Sequence, residues 1–180
     1  MSTIDLAPHG AVAISGDIGD AAYPVADWLR TTRPAGPGQA SRPVRIVVEV
    51  LRRLGGITPR ALIGGEFTPS TTRETHLAVG VAGYSLFDAD DKPICPSRLW
   101  NQPFTAGLPP EFGPTVLDTL GALTPVLPAG TLTLDRAAFD LVNSSEQIFA
   151  QAATVLHAVV TAHLTSGDSD AAARTVIETW

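Results

Sequence analysis

Residues 132–164, LTLDRAAFDLVNSSEQIFAQAATVLHAVVTAHL, decide how the chain is read. Thr131 to Leu134 alternate polar and apolar, the pattern of a strand buried on one side. From Ile148 onward the apolar residues recur at steps of three and four: Ile148, Phe149, Ala152, Val155, Leu156, Val159 and Val160, with His163 next in the series. That spacing lines one face of an α-helix. Asn143 or Ser144 is the expected N-cap, with Glu146 or Gln147 three residues on as its capping-box partner. Gly167 is the expected stop. On this reading His163 belongs to the buried stripe and His157 faces solvent.

The same logic extends toward the N-terminus. In residues 108–123, LPPEFGPTVLDTLGAL, the residues Phe112, Val116, Leu117, Leu120 and Leu123 form one helical face. Pro110 and Pro114 are compatible with a helix starting near Glu111, because the first turn has no N–H bonds to lose. Strands are expected at 44–51, at 61–67 with a bulge over its two glycines, at 76–87 and at 99–104. A short helix is expected within 21–30, followed by a Pro/Gly-rich loop over 32–43. Over 57–164 the order is strand, strand, strand, helix, strand, helix. It predicts an α+β two-layer sandwich, a mostly antiparallel sheet carrying two helices on one face. Residues 1–56 read as an N-terminal extension with an added strand, 57–165 as the compact domain, and 166–180 as a C-terminal tail.

Charge narrows the partners. The formal net charge is −6 and Lys92 is the single lysine. Residues 57–165 hold five basic against ten acidic side chains, whereas residues 1–56 hold six Arg against five acids. Nucleic-acid affinity rests largely on neutralising phosphates, so DNA is not an expected partner. The sequence has no apolar run long enough for a membrane span and no secretory leader, so a cytoplasmic location is expected. One cysteine, Cys95, allows no internal disulfide and no cysteine-rich zinc site.

Few residue groups suggest chemistry. Ser144 and Ser145 at a helix start read as caps rather than nucleophiles. His76 and Glu74 are one close pair, and two ligands do not make a metal site. DADD at 88–91 lacks the glycine and closing glutamate of a calcium loop. The glycines at 55–56 and 64–65 are followed by no Lys-Ser/Thr pair that would hold phosphate. Cys95, between prolines, reads as a packing residue. Trp180 ends a short amphipathic segment with Val176 and Ile177 and is a candidate partner contact. No metal or cofactor is expected.

Two patches, in their order and spacing, resemble domain IV of the translocase elongation factor G. One is Pro109, Glu111, Phe112, Pro114 and Val116. The other is Leu132 to Leu134 followed by Val142, Asn143, Ser144, Ser145, Glu146, Phe149 and Ala152. GEFTPSTTRETHLAVGV, residues 65–81, is similar to the family's first hairpin. The resemblance covers about residues 57–165. It implies a left-handed βαβ crossover, against the usual hand, in a fold shared with a small-subunit ribosomal protein, RNA-processing enzymes and small-molecule kinases. It implies two tip loops, with Thr72 and Arg73 on one and Arg136 and Asp140 on the other. Asp140 stands where the family often carries the histidine that is modified to diphthamide in eukaryotic relatives. The chain departs from the family in two further ways: it has no GxxxxGK[ST] phosphate loop, and TPSTTRET is not the family's glycine-rich basic loop.

The expectation is therefore a non-catalytic binding module whose partner is another protein or a second copy. A ribosome- or RNA-associated accessory factor is the alternative, and an enzyme on the same fold comes third.

Overall fold

The computed structural model describes residues 1–88 and 91–180. The acidic stretch DADD at 88–91 therefore includes two positions, 89 and 90, that lie outside the described residues.

In residues 44–52 the β-branched side chains alternate, and Val44, Ile46, Val48 and Val50 all enter one core while Val47 enters another. Strand β4, Val44–Arg52, is thus buried on both faces, and the sheet around it is large. Before it come β1 (Ser2–Leu6), β2 (Gly10–Ser15) and β3 (Val25–Pro34). After it come β5 (Arg60–Pro69), β6 (Glu74–Ala82), β7 (Ile94–Cys95), β8 (Phe104–Ala106) and β9 (Gly130–Phe139). Among the described residues these form one curled sheet in the order β1-β2-β4-β5-β9-β6-β3, with β8 pairing both β7 and the end of β9. Every pairing is antiparallel except β6 with β9.

Three helices follow from the periodic stretches: α1 (Gly113–Ala122), α2 (Glu146–Leu164) and α3 (Ser169–Ile177). They lie side by side on one face, α2 over β4 and β5, α1 over β6 and β3, α3 over β1. Phe112, just before α1, stacks on Phe149 of α2 with ring centroids 5.1 Å apart. Each fully buried Phe, Leu, Ile or Val side chain contributes about 1.5–3 kcal/mol of hydrophobic stabilisation. The core of this face holds most of the chain's large apolar residues, so this packing carries the fold. The α+β class and the helices on one face thus match the expectation, with α3 added from the stretch read as a tail.

Residues 1–56 are not set apart from this sheet. They supply β1, β2 and β4 on one side and β3 at the opposite edge. The helix expected within 21–30 is the strand β3. Val25, Trp28 and Leu29 fit helical spacing, but pairing with β6 from Val25–Ala82 to Pro34–Glu74 prevails. The strand expected at 99–104 is only Phe104–Ala106; the residues before it form a strap over the sheet's second face. Glycines serve the close approach of strands at β5. A Cβ on Gly65 would lie 2.1 Å from the Thr133 carbonyl, and the β5/β9 register shifts between Gly64 and Gly65.

The two histidines of α2 reverse their expected positions. His157 is 5% exposed, and His163 near the helix end is exposed. The cause is that α2 is covered by the sheet, α1 and α3 together, so its buried arc is much wider than one stripe. By length and mean hydropathy (19 residues, 1.2) α2 resembles a membrane-crossing helix, but its apolar faces are taken up inside the fold. Its N-cap is Ser145, whose hydroxyl accepts from the Ile148 N–H, one residue later than expected.

Candidate interaction surface

One end of the sheet is built from three loops. The β4–β5 hairpin turns through Leu54-Gly55-Gly56-Ile57, with Leu54 and Ile57 exchanging N–H···O bonds of 3.1 Å. Gly55 (φ +46°) and Gly56 (φ +107°) adopt the left-handed backbone that a tight two-residue hairpin demands. Beside it runs the loop from β9 into α2, residues 140–145, tied to the hairpin by the Arg60 N–H donating to the Asn143 carbonyl at 3.0 Å. The third component is the strap that carries Leu99 and Trp100.

Two buried charges hold these loops. The Arg60 side chain is 1% exposed and Asp140 9%. Arg60 Nε donates to Asp140 Oδ2 at 2.7 Å, Nη1 to the Gln102 carbonyl at 2.6 Å and Nη2 to the Pro103 carbonyl at 3.0 Å. Its guanidinium lies 4.3 Å from the centre of the Phe104 ring, a cation–π contact strengthened by burial. Asp140 Oδ1 accepts from the N–H groups of Val142 and Asn143 at 2.8 and 3.0 Å. Burial pushes the Asp140 carboxyl up, but the bonds from Asn143, Val142 and Arg60 outweigh it and hold the group below the ordinary carboxylate range. Ser144 is fully engaged here. Its hydroxyl donates to the Arg60 carbonyl at 2.7 Å and accepts from the Asp140 N–H at 2.9 Å, which makes it a strut and not a nucleophile.

The second buried charge is Glu49, 1% exposed on the sheet face away from the helices. Its carboxylate accepts from the Ser97 hydroxyl and from the N–H groups of Arg98 (2.9 Å) and Leu99 (3.2 Å). These bonds pin the strap across β4. Beneath it Val47, Leu62, Cys95, Phe104, Ala106 and Ala138 form a second, smaller core.

What these struts display is apolar. Eight large hydrophobic residues are exposed among the described residues, and five of them stand at this end: Leu54 (39%), Ile57 (62%), Trp100 (41%), Leu141 (52%) and Val142 (84%). A cleft of about 340 Å³ runs between the Gly-Gly hairpin and the strap, lined by Leu51, Leu54, Ile57, Leu99 and Trp100 among others. Such clustering marks a contact surface more than scattered exposure does.

The residues singled out in the sequence are distributed differently. Asp140 is at this end, but as a buried strut. Arg136 lies within β9 and not on a loop; it is ion-paired to Asp17 and Asp135, each at 3.1 Å. Thr72 and Arg73 lie on the β5–β6 turn at the opposite end, because β5 runs antiparallel to β9 and its Pro69 faces Gly130. Trp180 is docked on its own chain: Arg52 lies over its ring at 5.8 Å and His9 Nδ1 is 3.0 Å from its carbonyl. Leu54, Ile57 and Trp100 were missed. The signal present in the sequence was Gly55-Gly56 between apolar residues, a hairpin mark.

Among the described residues, no three His, Cys, Asp or Glu side chains converge as metal ligands. No family model matches this chain, and it has no match among curated proteins or among solved structures.

Proposed function

We propose that this protein is a non-catalytic protein-binding module that docks a protein partner through the Leu54, Ile57, Trp100, Leu141 and Val142 end of its sheet. With this reading goes the kinship to domain IV of elongation factor G, including the left-handed passage from β6 through α1 to β9. The observation that carries it is the concentration of exposed apolar side chains on loops held rigid from below by Arg60, Asp140 and Glu49. Rigid apolar anchors lose little entropy on binding. The test is a photo-crosslinking residue at Ile57, with Thr119 on α1 as the control position. A discrete adduct from position 57, lost when Val142→Asp is added, is expected. No adduct, together with a strict monomer by light scattering across micromolar concentrations, would sink the proposal.

One observation favours the ribosome or RNA reading. The hairpin beside the 140–145 loop is Arg52-Arg53-Leu54-Gly55-Gly56-Ile57-Thr58-Pro59-Arg60, and it is glycine-rich and basic as the family's tip hairpin is. Against it, Arg53 is bonded to both oxygens of Asp5 at 2.7 and 2.8 Å, and Arg60 is buried. Ribosome pelleting at two salt concentrations separates the readings. Binding that falls steeply with salt and is lost in Arg52→Ala with Arg53→Ala supports RNA contact.

A further inference from the structure

At the end of the sheet opposite that surface lies an open groove of about 490 Å³, lined by residues 35, 36, 38–40, 70–73 and Ala129. Its walls are tied together through the backbone. The Ala35 N–H donates to the Arg73 carbonyl (3.0 Å), Gly36 to Leu127 (2.8 Å) and Ser70 to Ala129 (3.2 Å). Gly36 is required for this closure, since a Cβ there would sit 1.8 Å from the Val126 carbonyl oxygen. The Ser70 and Thr72 hydroxyls are 2.7 Å apart, and the Thr72 hydroxyl donates to the Glu74 carbonyl, which fixes the turn that carries Arg73.

We infer that this groove is a binding site for a small oxyanion-bearing molecule, a carboxylate or a phosphate, held by Arg73. Three observations converge. Arg73 is the one charged residue among the lining residues, in a chain of net charge −6. Among the described residues, Arg73, Thr71 and Gln39, all exposed, make no side-chain hydrogen bond or ion pair, and all three border the same space. The nearest carboxylate in sequence, Glu74, turns away to His76, with 3.7 Å between Oε2 and Nε2. A guanidinium presents paired donors in a plane that matches the two oxygens of a carboxylate or phosphate. The volume lies in the range of small-molecule sites, roughly 300–1,000 Å³.

The test is titration of the whole protein with sodium phosphate and, separately, sodium acetate, at ionic strength held constant with chloride. The readout is the NMR shift of the Arg73 Nε–H and of the Gly38 and Thr72 amides. Saturable shifts confined to this groove are expected from at least one of the two anions, and which anion binds tighter identifies the ligand class. Arg73→Ala should weaken binding by about tenfold or more, the loss expected for a charge-assisted pair; Arg73→Lys should recover part of it. Shifts reproduced by chloride alone, shifts mapping elsewhere, or binding unchanged in Arg73→Ala would each overturn the assignment. These outcomes are independent of any partner at the apolar end.

Discussion

Arg60 and Asp140 form an ion pair inside the protein, with 2.5 Å between Nη2 and Oδ2 and side chains 1% and 9% exposed. The pair joins the start of β5 to the loop entering α2, and Arg60 continues to the strap through two carbonyls. Removing Arg60 leaves a carboxylate inside the fold without its cation. Arg60→Ala is expected to cost on the order of 3–5 kcal/mol. Asp140→Asn keeps the bonds from the Val142 and Asn143 N–H groups but sets an amide N–H against the Arg60 and Asn143 side-chain donors and leaves the guanidinium without its anion, so it should cost a comparable amount. Urea midpoints of the two variants and their combination check this; purely additive effects would mean that the pair is not coupled.

Stability should depend on pH through His157. Burial pulls the imidazole below its ordinary value, and nearby Arg33 adds to the shift against an opposing backbone hydrogen bond at Pro125. With the folded pKa below the unfolded one, the unfolded chain binds more protons between the two values. Stability therefore falls as pH drops from about 6.5, the ordinary histidine value, toward the lower folded pKa. Asp140 adds a separate loss at more acid pH, since its depressed folded pKa stabilises above the carboxylate range and ceases to do so below it. Melting temperatures of wild type and His157→Gln across pH 5–7 should differ in slope, with the flatter line in the variant.

The outer edge of β3 is guarded by its own side chains. Asp27 Oδ1 accepts from the Trp28 N–H at 2.7 Å, and Arg30 Nη1 donates to the Trp28 carbonyl at 3.4 Å. Both main-chain groups of Trp28 are occupied where a neighbouring strand would bind. Replacing Asp27 and Arg30 with valine should raise concentration-dependent self-association relative to the parent protein, measured by sedimentation velocity. An unchanged sedimentation coefficient over the same range would remove the guard from the account.

Cys95 should be inert in the folded protein. Its side chain is buried under the strap, and burial, aided by Asp20 and Glu49, pushes the thiol up to about 12. The thiolate is the reactive form. Labelling by a disulfide reagent at pH 8 is expected to proceed at the rate of opening, and Glu49→Ala, which releases the strap, should accelerate it severalfold. Fast labelling of the native protein would show that the strap is not closed.

Much of the architecture was legible because the helical spacing of α1 and α2 and the alternation of β4 and β9 are local signals. The site was less so. Leu54, Ile57 and Trp100 meet only after β4, β5 and the strap have folded, so no spacing in the chain announces them. The two loops expected together lie at opposite ends: the turn beside Asp140 is β4–β5, not β5–β6, and a strand's direction reverses which end a loop occupies. His157 was misjudged because helical periodicity reports one buried face, whereas the connection after α1, at Pro125 to Leu127, covers a second. Residues 21–30 were misread as helix because an edge strand with one neighbour carries a weak alternation.

The split placement of the first 56 residues has a consequence for how the chain matures. β3 emerges early, yet its pairing partners, Glu74 to Ala82, are made only after β4 and β5. β9, the strand that joins the two halves of the sheet, comes later still. A growing chain must therefore hold Val25–Pro34 unpaired during synthesis, and no fragment that begins at residue 57 can seal either margin of the sheet.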